Sequence, residues 1–196
     1  VIQPPSVNFS TLVIARIDPA ARPARASSVA EPSAAVAVAG DETTLALTVK
    51  ANPRQIGRGR VLADQTSSIL QFYASIVGEA PYPAFTLAVT ENETPGGHSP
   101  AYFAMLNQVL PTSPINWRND PVNFESFPQF YLAHELAHQW WGQAVGWKNY
   151  HEQWISEGFA QYFALLYAER RQPGAFGNIL RQLRRWSLNE SDQGPV

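Results

Sequence analysis

Apolar positions recur along this chain with two different periods, and the change between them separates strands from helices. Asn8 to Ile17, Thr43 to Ala51, Ala84 to Thr90 and Ala101 to Leu106 are rich in β-branched and apolar residues and are expected as strands. From Arg60 to Val77 the period lengthens: Leu62, Ile69, Tyr73 and Ile76 share one side of a helix that ends at Gly78. A second helix is expected from Phe127 to Trp141. Ser126 and Gln129 are spaced as a capping box, Pro128 falls in the first turn and Gly142 stands just past the end. Its apolar positions Phe127, Phe130, Leu132, Leu136, Trp140 and Trp141 wrap widely around it, so this helix should be buried. After the loop-like stretch from Gln143, helical spacing returns from about Gln153 to Arg170, at Trp154, Ile155, Phe159, Tyr162, Phe163, Leu166 and Tyr167, until Pro173-Gly174. Leu180, Leu183 and Trp186, alternating with Arg181, Arg184 and Arg185, mark an amphipathic terminal helix.

The stretch from Asp18 to Gly40 is rich in Ala, Pro and Ser and reads as a loop or linker. It suggests a β-rich N-terminal segment over 1–50, the remnant of a preceding β domain, and a second unit over 51–196. A length of 196 residues suffices for one domain with a sizeable core.

The second helix carries His134-Glu135-Leu136-Ala137-His138, and after eighteen intervening residues Glu157 follows within Trp154-Ile155-Ser156-Glu157-Gly158-Phe159-Ala160. Each helical residue advances about 100°, so histidines four apart sit about 40° from eclipsed and about 6 Å apart along one face. Both imidazoles therefore reach one metal. Glu135, beside the first of them, can reach water at the metal without binding the metal itself. Two histidines and a carboxylate leave a fourth tetrahedral position open, which distinguishes a catalytic zinc site from a closed structural one. The chain's own composition yields such a pentapeptide by chance roughly once in two hundred sequences.

Composition narrows the picture further. Zero cysteine excludes thiolate ligands and disulfides, and a net charge of −2 offers no electrostatic footprint for nucleic acid. No apolar run is long enough to span a bilayer, and the opening lacks a signal-peptide pattern. His151 and Glu152 are expected in a surface loop. Trp140, Trp141, Trp147 and Trp154 flank the motif and are expected to pack in the core.

The run His134 to Gly142 in His-Glu-Leu-Ala-His-Gln-Trp-Trp-Gly, followed by Trp154 to Ala160, resembles the aminopeptidase N family of gluzincin metallopeptidases. The likeness is close from about Phe127 to Tyr167 and weaker from about Gly57 to Ser126. It implies that His134, His138 and Glu157 bind one zinc ion (Zn2+), that Glu135 activates water, and that the substrate is a peptide. The implied fold is a thermolysin-like α+β catalytic domain, a small sheet plus a helix bundle carrying HExxH-x18-E.

Two departures bear on specificity. Family members that remove N-terminal residues carry Gly-x-Met-Glu-Asn upstream, whose Glu holds the free α-amino group. Here Glu93-Thr94-Pro95-Gly96-Gly97-His98-Ser99-Pro100-Ala101-Tyr102-Phe103 keeps the glycines and lacks Met-Glu-Asn. Glu91 and Glu93 are candidate replacements, and Gly96, Gly97, His98, Ala101 and Tyr102 are candidate substrate contacts. If Ala101 to Leu106 is the sheet edge beside the zinc, its backbone can hold an extended peptide by strand addition, and Pro100 suits an edge. The family also uses a downstream tyrosine to stabilise the oxyanion. Only residues 158–196 follow Glu157, and Tyr162 and Tyr167 read as core aromatics. The chain is therefore expected to be a piece of a longer enzyme, truncated on its C-terminal side, with the remaining domains as partners. Three functions stay open: an aminopeptidase N-like peptidase, a zinc endopeptidase without the amine anchor, and a non-catalytic zinc-binding scaffold.

Overall fold

The strands assemble into one mixed sheet. In the computed structural model, which describes residues 10–17, 45–78, 80–90, 97–107, 121–122 and 124–190, β1 (Ser10–Ile17) pairs antiparallel with β2 (Leu45–Ala51). β2 runs parallel to β3 (Ala84–Thr90), β3 parallel to β5 (Phe103–Asn107), and β4 (Gly97–His98) closes the far side antiparallel to β5. The order is β1-β2-β3-β5-β4. Parallel neighbours need a crossover, and α1 (Ile56–Val77) supplies it between β2 and β3, packing on β1 and β2. Alternate residues of β2 (Leu45, Leu47, Val49, Ala51) and Phe85, Leu87 and Val89 of β3 are buried, the period-2 pattern of a sheet with a covered face.

Two expectations about the sheet change. The strand expected at Ala101 to Leu106 is β5, and it is not an edge: β3 and β4 flank it. Among the described residues the edge on that side is β4, a strand of two residues, with Pro100 in the turn between β4 and β5. The sheet also runs through the boundary expected at 50 and 51, because β2 continues to Ala51 and is paired on both flanks.

The helices differ from expectation mainly at their ends. α1 begins at Ile56, after a 3-10 turn over Pro53–Gln55, and stops at Gly78, whose φ of +111° lets its N–H return to the Ala74 carbonyl at 2.8 Å. α2 (Gln129–Ala137) is shorter at both ends than the expected span. Its capping box does not form: Pro128 is the N-cap and no side chain caps the helix. Successive turns lead into it instead, with Phe127 N–H on the Phe124 carbonyl and Phe130 N–H on the Phe127 carbonyl. Beyond Ala137 the chain tightens into three-residue bonds, Gln139 N–H to Leu136 O and Trp140 N–H to Ala137 O. α3 (Gln153–Arg171) follows a 3-10 turn over Tyr150–Glu152, and α4 (Pro173–Glu190) begins on the proline that was expected only as a stop.

α2 is buried all round, every residue from Phe130 to Ala137. Tyr73 of α1 fills the centre of the helical layer, meeting Trp140 and Phe163 edge-on at 5.7 and 5.5 Å between ring centroids. Among the described residues no helix is long and apolar enough to cross a membrane.

Candidate metal centre

A buried helix holds its polar groups only where partners meet them, and α2 is fixed by one before its motif begins. The Tyr73 hydroxyl donates to the Ala133 carbonyl at 2.8 Å, binding α2 to α1 one residue ahead of His134. Past the motif, Gly142 at φ +116° turns the chain back so that its N–H meets the Val145 carbonyl at 2.9 Å. A Cβ on Gly142 would lie 3.3 Å from Ser156 Cβ and 3.6 Å from His138 Nδ1, so the glycine also lets α3 come close. The same turn aims the Trp141 carbonyl at His138 Nδ1, 3.0 Å away. With that nitrogen protonated toward the carbonyl, Nε2 is left as the lone-pair donor.

The two helices bring three ligand atoms together. His134 Nε2 and His138 Nε2 are 3.2 Å apart, and Glu157 Oε2 lies 3.3 Å from the first and 3.5 Å from the second. A tetrahedral zinc with bonds of roughly 2.0–2.1 Å separates its ligand atoms by about 3.4 Å, so the set has the spacing and donor chemistry of a zinc site. Among the described residues it is the one group of three such side chains. His134 is buried, and its Nδ1 has no hydrogen-bond partner there.

Electrostatics bind the triad together without a metal. Hydrogen bonds from His134 and then His138 hold the Glu157 carboxyl far below the usual carboxylate range, against a smaller burial effect. For His138, burial is the largest single influence and pulls the pKa down. The Glu157 hydrogen bond and charge, the Trp141 carbonyl and Glu135 together outweigh it and leave the pKa above the ordinary histidine value.

Glu135 points into a different neighbourhood, built by the β4–β5 connection. Its Oε2 accepts a 2.5 Å hydrogen bond from the Ser99 hydroxyl, with both residues buried. Gly97 lies so close that a Cβ there would sit 2.6 Å from Glu135 Cδ and 2.6 Å from the Tyr131 hydroxyl. Gln139, buried at the end of the motif, accepts from Tyr102 N–H at 3.0 Å and donates to the Pro100 and Phe103 carbonyls at 3.1 and 3.3 Å. Gln143 adds a bond to the Ser99 carbonyl at 3.0 Å. Tyr102, held at φ +66°, is exposed and stacks near Tyr82 with 4.2 Å between centroids.

The other candidates scatter. His98 is exposed on β4, Ala101 is partly buried in the following turn, and Gly96, Glu91 and Glu93 lie outside the described residues. Glu152 accepts from Lys148 N–H and from Asn149, a loop closure and not a ligand position. The tryptophans divide: Trp140 is core and Trp141 stacks on Phe159 at 4.7 Å, whereas Trp147 and Trp154 are 41% and 54% exposed. Tyr167 is core as expected, but Tyr162 is exposed. Sequence reasoning overlooked Ser99 and Gln139. Gln139 follows the motif directly, which was its only signal; Ser99 had none.

Residues 128–193 match the Peptidase family M1 domain. Over 66 residues the chain is 39% identical to endoplasmic reticulum aminopeptidase 2 of Bos taurus, a match covering 31% of this chain and 7% of that protein. It is 45% identical over 42 residues to aminopeptidase O of Mus musculus and to aminopeptidase N of Homo sapiens, covering 21% of this chain and 5% and 4% of theirs. The matched stretches are thus a small fraction of the length of these relatives. A solved structure, that of the M1 zinc metallopeptidase from Deinococcus radiodurans, aligns with a TM-score of 0.47 at 20% identity over 65% of this chain and 26% of that one.

Proposed function

We propose that the protein hydrolyses peptide bonds with zinc, in the manner of an aminopeptidase, a reading supported by the match of residues 128–193 to the Peptidase family M1 domain. The observation that carries this reading is the spacing of 3.2 to 3.5 Å among His134 Nε2, His138 Nε2 and Glu157 Oε2, which suits zinc ligands. His134, His138 and Glu157 would hold the zinc ion, which would supply Lewis acidity to a peptide carbonyl and lower the pKa of water from about 15.7 towards 7. His138 is aligned for its role by the Trp141 carbonyl. Glu135 takes the proton of the attacking water and returns it to the leaving amine. Gly97, His98, Ala101 and Tyr102 form the substrate side, with the two-residue edge β4 offering backbone groups to an extended peptide.

A second reading, an endopeptidase, is favoured by one feature: from Gly97 to Phe103, the segment nearest Glu135, no carboxylate is present to hold a free α-amine. The deciding experiment compares matched free-amine and N-acetylated peptides, with zinc content measured on the same sample and Glu135→Gln as control. Cleavage of the free-amine peptide alone, lost in the variant, supports the aminopeptidase. Equal cleavage of the blocked peptide supports the endopeptidase. Absence of cleavage with one zinc bound overturns both in favour of a zinc-binding scaffold.

A further inference from the structure

We infer that Ser99 is the positioning residue for Glu135, fixing the orientation of its carboxylate from the β4–β5 connection; this rests on Glu135 being the proton acceptor. The hydroxyl-to-carboxylate distance of 2.5 Å is that of a strong O–H to carboxylate bond. Ser99 and Glu135 are 7% and 8% exposed, so water does not compete freely for either. A glutamate side chain has three rotatable bonds, and the helix fixes none of the outer two. An outside partner has to.

Ser99 is able to serve because it is itself immobilised. Its carbonyl is held by Gln143, and the next four residues are held through Pro100, Tyr102 and Phe103 by Gln139. Both glutamines belong to the chain just beyond His138. The metal helix and its turn therefore carry the segment that orients the helix's own base. Gly97 completes the arrangement, since any side chain there would push the carboxylate away.

The test uses Ser99→Ala and Ser99→Thr in the zinc-loaded protein, with steady-state kinetics, zinc content and urea unfolding. Ser99→Ala is expected to lower kcat about 10- to 100-fold with KM changed by less than about twofold and zinc retained. Ser99→Thr, which keeps the hydroxyl, is expected to restore most of the loss. A double-mutant cycle of Ser99→Ala with Glu135→Ala should show coupling of about tenfold in the unfolding constant. Wild-type kcat in Ser99→Ala, or additive effects in the cycle, would overturn the assignment. If the wild-type protein binds zinc and cleaves nothing, the proposed function fails, and the cycle alone decides whether Ser99 holds Glu135.

Discussion

The metal-binding triad and the segment from Gly97 to Phe103 both meet the motif helix and the turn after it, and they are built in opposite ways. His134 and His138 are four residues apart on one helix, and Glu157 is in the first turns of the next. Rigid local geometry positions the histidines, and one helix–helix contact adds the third group. That segment has the two residues of β4, a turn and the first residue of β5, and it is tied to the motif helix by side-chain bonds that span 36 to 44 residues of sequence. Residues that carry the chemistry are thus locally encoded, and residues that aim it are supplied by tertiary structure.

That division predicts separable failures. The largest is expected for His138→Ala, which leaves two ligands: zinc affinity should fall by more than about 100-fold, and cleavage should vanish with it, measured by metal analysis after dialysis. Glu135→Gln should reduce kcat by about 10² to 10⁴ while one zinc stays bound; loss of metal in this variant would mean that Glu135 belongs to the metal-binding side. Gln139→Leu strips partners from Tyr102 N–H and from the Pro100 and Phe103 carbonyls. The Pro100 carbonyl keeps the Phe103 N–H as donor, so the change should cost about 2 to 4 kcal/mol in urea unfolding, mainly from the Tyr102 N–H and the Phe103 carbonyl at about 1–3 each, with zinc affinity kept. If zinc affinity falls as well, the two sides are one unit and the division is wrong.

The smallest effect concerns pH. In the metal-free protein the His138 pKa lies above its ordinary value and that of Glu157 well below. Protons therefore compete with metal at His138 from a higher pH, and not at Glu157. Zinc affinity should be flat above the raised His138 pKa and fall about tenfold per pH unit below it, as titration calorimetry would read. In the metal-free protein the sign for stability is the reverse: the His138 contribution is full at pH below the unfolded histidine pKa and is lost as pH rises through the folded one.

The same contrast explains what was legible in the sequence. β3 was expected at its observed bounds, and α1 and α3 within a few residues, because their apolar periods are strong and their ends carry Gly78 and Pro173. The ends of α2 were misplaced because Ser126 and Gln129 match a capping box by spacing, whereas the chain enters through turns closed by Phe124 and Phe127. β4 is too short to have a period. The order of strands is a tertiary fact, so the edge position considered for Ala101 to Leu106 could not be decided from sequence, and β4 covers that strand. The triad was legible because four-residue spacing is a property of one helix. Ser99 and Gln139 were not, since nothing near Ser99 says that Glu135 is its neighbour.

The hydrogen bond from Tyr73 to the Ala133 carbonyl extends from statics to opening events. A helix that frays alone exchanges its amide protons through small local openings. Here the turn of α2 that holds Ala133 cannot lift without withdrawing an acceptor from the hydroxyl of Tyr73, a fully buried residue whose ring meets Trp140 and Phe163. Deuterium should therefore enter Ala133 to Ala137 and the Tyr73 region of α1 at one common rate. One common rate would mean that the ligand helix and the heart of the core open as a single cooperative unit, and separate rates would mean that α2 opens on its own.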